Sequence, residues 1–138
     1  MAEQILLDDK VAKVTYYQDL SLLKIDWYGT PSREVYEKTF LIGLEFQEKC
    51  PVNIDNFISD IRKQGVVNPE NRKWFEGVAL PRAVKQGLKR GAVIFDGNVF
   101  KKYYLNTIMQ ATNIYKLPFK FFTTEEEALA WFDSFDRK

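Results

Sequence analysis

Asp60 and Arg62 close the run Asn56-Phe57-Ile58-Ser59-Asp60-Ile61-Arg62, which reads as a buried strand carrying an acid and a base to a sheet edge. Two residues apart in an extended chain, both side chains point to the same side, where they are able to pair or to meet a ligand together. A structural reading stands beside this one: Asp60 caps the turn that follows, and Arg62 is a solvated or ion-paired loop residue. Asp96, ahead of Gly97-Asn98, ends a second apolar run and has the same two readings, edge group or turn former. The expectation is that Asp60, Arg62 and Asp96 gather at one end of one sheet.

Charge is the second feature able to do chemistry. From Arg72 to Lys102 the chain carries eight bases and only two acids, Glu76 and Asp96, although the whole molecule has a net charge of +1. Arg82, Lys85, Lys89 and Arg90, with the neighbouring Tyr103, are therefore candidates for a surface that takes an anionic ligand or an acidic partner. The plain alternative is a solvated helix face balanced by the acids Glu125, Glu126 and Glu127. The aromatic residues Tyr16, Tyr17, Trp27, Tyr28, Trp74, Tyr103, Tyr104 and Trp131 are core or pocket lining. A pocket, where one exists, is expected between the basic helix and the aromatic side chains of residues 98–112. Nucleic acid is disfavoured as a partner, since the overall charge is nearly balanced and no recognition motif is present.

Several chemistries are excluded. The 138 residues contain no histidine and a single cysteine, Cys50. Ser-His-Asp and Cys-His pairs, imidazole metal sites and internal disulfides therefore cannot be built. No cofactor is implied, and an enzyme is disfavoured, with carboxylates and lysines the only remaining acid–base groups. No apolar run approaches the roughly 20 residues a membrane span requires, and Met1 to Lys10 has neither a basic leader nor an apolar core. Both point to a cytoplasmic protein.

The elements that must position these groups follow in order. Val11 to Tyr17 and Leu20 to Tyr28 form a β-hairpin, with Leu23, Ile25 and Trp27 alternating against Lys24, Asp26 and Tyr28. Thr30 as cap and Pro31 at the first helical position open a helix from Ser32 to Lys49, striped by Val35, Thr39, Ile42 and Phe46. The run at 56–62 is the next strand. Asn68-Pro69 starts a second helix with Trp74, Phe75 and Val78, which Leu80-Pro81 breaks or re-aims before a short basic segment. Ala92 to Phe95 is a strand, Asn98 caps a helix to about residue 112, and Phe119 to Thr123 is the last strand. Thr124 and Glu127 form a capping box for a terminal helix with Leu129, Trp131 and Phe132.

The order β-β-α-β-α-β-α-β-α predicts an α/β fold with a four- to five-stranded mixed sheet, an N-terminal hairpin followed by alternating helices and strands. A hairpin packed on a helical bundle is the competing architecture. One domain is expected over residues 1–138, with 1–10 and 134–138 peripheral.

The ordered pattern of Trp27-Tyr28-Gly29-Thr30, Asp60-Ile61-Arg62, Asn68-Pro69-Glu70 with Trp74, Lys89-Arg90-Gly91-Ala92-Val93-Ile94 and Phe122 to Trp131 resembles the STAS superfamily. It is most similar to the SpoIIAA-like branch of small stand-alone bacterial proteins, over roughly residues 11–133. The resemblance implies helices against a mixed sheet and a role in protein–protein regulation or ligand sensing. In regulatory members the central strand leads into an Asp-Ser pair whose serine is phosphorylated. Asp60 matches the aspartate, but Ile61 stands in the serine's place and cannot accept a phosphoryl group, so no phosphosite carries over. Two functions follow as expectations. One is a non-catalytic regulatory module that binds a protein partner or its own copy as a homodimer; the other is a carrier of a small anionic or lipid ligand, with an apolar cleft and a basic mouth.

Overall fold

The computed structural model describes residues 3–65 and 68–135. Six strands form one sheet whose spatial order is the chain order: β1 (Glu3–Asp8), β2 (Ala12–Tyr17), β3 (Leu22–Gly29), β4 (Asn56–Gln64), β5 (Arg90–Ile94) and β6 (Phe119–Phe122). β1, β2 and β3 run antiparallel as a meander, and β3 to β6 run parallel. The mixed α/β sheet is thus as expected, with one strand beyond the expected count. The extra strand is β1, in the segment expected to be peripheral. The C-terminal segment expected to be peripheral, 134–138, falls partly on residues 136–138, outside the described residues; α5 (Glu125–Ser134) takes in its first residue.

Three crossovers step in the same direction across the sheet, and a right-handed crossover then places every connecting helix on one face. α1 (Arg33–Lys49), α2 (Pro69–Trp74), α3 (Leu80–Lys85) and α4 (Val99–Ile114) cover that face. The main core lies beneath them, with Val14, Leu23, Ile25, Trp27, Ile61 and Val93 from the sheet meeting Tyr36, Phe40, Leu44 and Leu105. Trp27, 2% exposed, joins three elements: its indole stacks on Tyr36 at 5.2 Å and its Nε1–H donates to Ser59 Oγ at 3.1 Å. α5 follows the last strand and folds over the opposite face. There Ala128 and Phe132 close a smaller core with Leu22, Ile58, Ala92 and Ile94.

Two local readings change. α1 is capped by Ser32, whose Oγ accepts the Val35 N–H at 3.3 Å, not by Thr30. The Thr30 hydroxyl instead packs against Gly65, at the place a Cβ on that glycine would occupy. The buried stripe of α1 is Tyr36, Thr39, Phe40, Gly43, Leu44 and Gln47, rotated from the expected one, so Val35, Ile42 and Phe46 lie on its margin. The helix entering Leu80-Pro81 is not broken. It widens into a π-helical turn over Phe75–Ala79, where the Leu80 N–H reaches back to the Phe75 carbonyl, and continues as α3. Such a turn absorbs the donor that Pro81 lacks.

Candidate functional site

Side chains alternate along β3 and β4, so the residues between the core positions face the α5 side. Lys24 and Asp26 from β3 and Asp60 and Arg62 from β4 share that face, with Asp26 paired in register with Asp60. Just beyond this pair β4 carries a bulge: three residues of β4 span the step that two span on β3, so Ile61 and Arg62 lie opposite Trp27. The bulge turns the backbone of Arg62 toward its neighbour. Asp60 Oδ1 accepts the Arg62 backbone N–H and its Nε–H, both at 3.1 Å, while Oδ2 accepts Nη2 at 2.7 Å. This two-pronged grip is the strong geometry for a guanidinium and a carboxylate.

Lys24 completes the cluster. Only 6% exposed, its ammonium binds Asp26 at 3.3 Å and Glu125 at the start of α5, which ties the helix to the sheet. The environments separate the two aspartates. Burial would raise the Asp60 carboxyl, but the hydrogen bonds from Arg62 outweigh it and hold the group below the ordinary value. For Asp26 burial dominates and pushes the carboxyl up, against the pull of Lys24. Burial also works against the Lys24 charge, and Glu125 and Asp26 overcome it, leaving the ammonium raised. The cluster opens on a cleft of about 400 Å³ that also meets Tyr28 and Lys63. Among the described residues no group of three His, Cys, Asp or Glu side chains is able to hold a metal ion.

Asp60, Arg62 and Asp96 do lie at one end of the sheet. Asp60 is in register with Ile94, and Lys101 Nζ bridges the two strand ends by donating to the Ile61 carbonyl at 2.9 Å and to Asp96 at 3.3 Å. Asp96 also accepts the Asn98 N–H, the main reason its carboxyl is lowered. The bases do not form one face. Lys89 and Arg90 stand at the opposite, amino end of β5, where Lys89 pairs with Asp55 at 3.7 Å and Arg90 donates to Asn56 Oδ1 at 2.8 Å and covers the Phe135 ring. Arg82 reaches Glu48 at 3.8 Å on the helical layer, and Lys85 is exposed near it on α3. Tyr103 lies on α4 and is 80% exposed, beside Val99 at 76% and Phe100 at 84%.

A second cleft, of about 310 Å³, opens at this carboxyl edge between the end of β4 and the start of α4. Ile61, Gln64 and Gly65 form one wall, and Phe100, Lys101 and Tyr104 the other. Behind Tyr104 lies a small void against Trp27 and Tyr36, and deeper still an apolar cavity of about 50 Å³ under α1 and α3.

Solved structures share this architecture. An uncharacterized DUF3478-family protein with a SpoIIAA-like fold, from Shewanella loihica PV-4, superposes with a TM-score of 0.54 and 23% identity, over 95% of this chain and 92% of its own. The anti-sigma factor antagonist SpoIIAA in its unphosphorylated form superposes with a TM-score of 0.58 and 12% identity, over 99% of this chain and all of its own. This chain has the SpoIIAA-like fold. No family model and no curated protein matches the sequence.

In this SpoIIAA-like sheet, the carboxyl ends of the parallel strands carry both clefts, the position at which open α/β sheets offer their loops to ligands. Three participants escape a reading by sequence alone. Lys24 and Asp26 look like the solvent side of an alternating strand, and only the matching alternation of Asp60 and Arg62 hints that they meet. Gln64 gives no local signal at all, because its setting depends on α4, more than thirty residues later in the chain.

Proposed function

We propose that this chain is a non-catalytic regulatory module of STAS-like type that engages a protein partner through the amino-terminal half of α4. The observation that carries this reading is the exposed apolar face of Val99, Phe100 and Tyr103, which no described residue covers. Contiguous exposed aromatic and aliphatic side chains mark interaction surfaces in proteins otherwise well packed. The regulatory role of the solved counterpart, an anti-sigma factor antagonist, supports the same class. A phosphorylation switch of the Asp-Ser kind is not part of the proposal, since Ile61 has no hydroxyl and is buried.

Affinity capture by wild type and by Phe100→Asp/Tyr103→Asp tests it. Both side chains are exposed, so the double variant should melt within a few degrees of wild type while losing a stoichiometric partner, or its own second copy, by at least about tenfold. Equal capture by both proteins removes α4 as the interface.

A second reading, a small-ligand carrier, is favoured by the series of voids running from the carboxyl-edge cleft toward the apolar cavity. Native mass spectrometry of the purified chain tests it: a retained molecule supports a carrier, and the bare polypeptide mass speaks against one.

A further inference from the structure

We propose that the outward face of α4 binds a second copy of this chain, the two helices lying antiparallel about a two-fold axis near Asn106. The inference rests on the partner reading above and names the partner. α4 is the last helix of its layer and packs on β6 and on the π-helical turn, which leaves its far side without a neighbour among the described elements. Along that side Val99, Tyr103, Asn106, Gln110 and Asn113 are all exposed and follow at steps of four, three, four and three residues. Such steps make the narrow seam along which two helices pack side by side. Lys102 is the single charge among the exposed residues of α4, in a chain of which 28% is charged. A helix side turned permanently to water is ordinarily charged, so four turns of neutral surface mark a face that is covered.

Charge and symmetry choose the occupant. The seam holds no acid and one base, so it offers a strongly charged partner nothing to grip, whereas a copy of itself meets it without repulsion. A parallel copy would set Lys102 against Lys102; the antiparallel one parts the two ammoniums by about nine residues of helix rise, roughly 13 Å, beyond the reach of screened charges at physiological salt. It also lays the Val99–Tyr103 end of each helix on the Gln110–Ile114 end of the other, where Ile114 is 76% exposed. The exposed amide of Asn106, solvated in the single chain, lies nearest the axis and has a donor and an acceptor to exchange with its counterpart. Every contact is then made twice, as in any two-fold interface. Val99, Phe100, Tyr103 and Ile114 expose on the order of 600 Å² per copy, and a pair covers about 1,200 Å², the lower bound for a specific interface. Reversible association is the consequence, with a Kd of roughly 10–100 µM.

Sedimentation equilibrium of the full chain between about 1 and 500 µM tests the proposal. Wild type should pass from monomer to dimer over this range. Gln110→Lys lies outside the amino-terminal half of α4 and is exposed, so it should melt within a few degrees of wild type and weaken the dimer at least about tenfold. Asn106→Cys, beside the axis, should cross-link into dimers under mild oxidation well beyond the wild-type level set by Cys50, and Val99→Cys, at the helix end, should not. A wild-type chain that stays monomeric, a Gln110→Lys chain that dimerises as wild type does, or equal cross-linking at 99 and 106 overturns the assignment. The partner reading fails separately. A monomer whose captured partner is lost with Phe100→Asp/Tyr103→Asp keeps the surface and removes the second copy, whereas a monomer with unchanged capture removes both.

Discussion

Asp60 and Arg62 hold each other because β4 gains a residue at Ile61–Arg62, just after Asp60, not merely because they are two apart. Without the bulge the Arg62 N–H would belong to the ladder; with it, the N–H turns to the Asp60 carboxylate and adds a third bond to the pair. The pair and its neighbour Asp26 respond to acid in opposite senses. Asp60 ionises more readily in the folded state, so its contribution is complete above the ordinary carboxylate value and is lost as the pH falls through the lower folded value. Asp26, raised chiefly by burial, weakens the fold as the pH rises from the ordinary value to its own. Arg62→Ala should therefore lower stability at neutral pH by about 1 kcal/mol, a figure reduced because the guanidinium is part exposed. It should also shrink the loss seen between about pH 5 and pH 2 in urea melts. An acid limb as steep as that of wild type would show that Asp60 draws its stability from elsewhere.

At the scale of elements, α5 is held to its face of the sheet by a small apolar seam, by the link from Lys24 to Glu125 and by Arg90 over the Phe135 ring. Phe132→Ala should cost about 3 kcal/mol, and in hydrogen exchange the loss of protection should concentrate in α5 and leave α1 nearly untouched. Uniform loss across both helices would mean that α5 is integral to the main core. The turn after β4 is tight in another way. A methyl on Gly65 would collide with the Thr30 hydroxyl, so Gly65→Ala should destabilise by about 1–2 kcal/mol and Thr30→Ala should restore much of it. Additive losses in the double variant would place the strain in the backbone instead.

For the molecule as a whole, what the sequence made legible was the order of elements and the edge at which Asp60, Arg62 and Asp96 meet, because periodicity and caps are local. Asn68, Asn98 and Thr124 all cap the helices they announce. β1 escaped because Leu6 and Leu7 stand side by side at an irregularity in its pairing, which breaks the alternation a strand is recognised by. The scattering of Lys89 and Arg90 away from Lys101 escaped because closeness in sequence says nothing about which end of β5 a residue occupies. Spatial order and chain order coincide in this sheet, and the coincidence bears on synthesis. Each strand leaves the ribosome beside a partner already made, so no strand edge waits for a distant segment and few long loops must close. Nascent chains stalled with β5 just exposed should already resist limited proteolysis across β1 to β4. β6 and α5, which follow β5 in the chain, then cover its edge and the opposite face of the sheet.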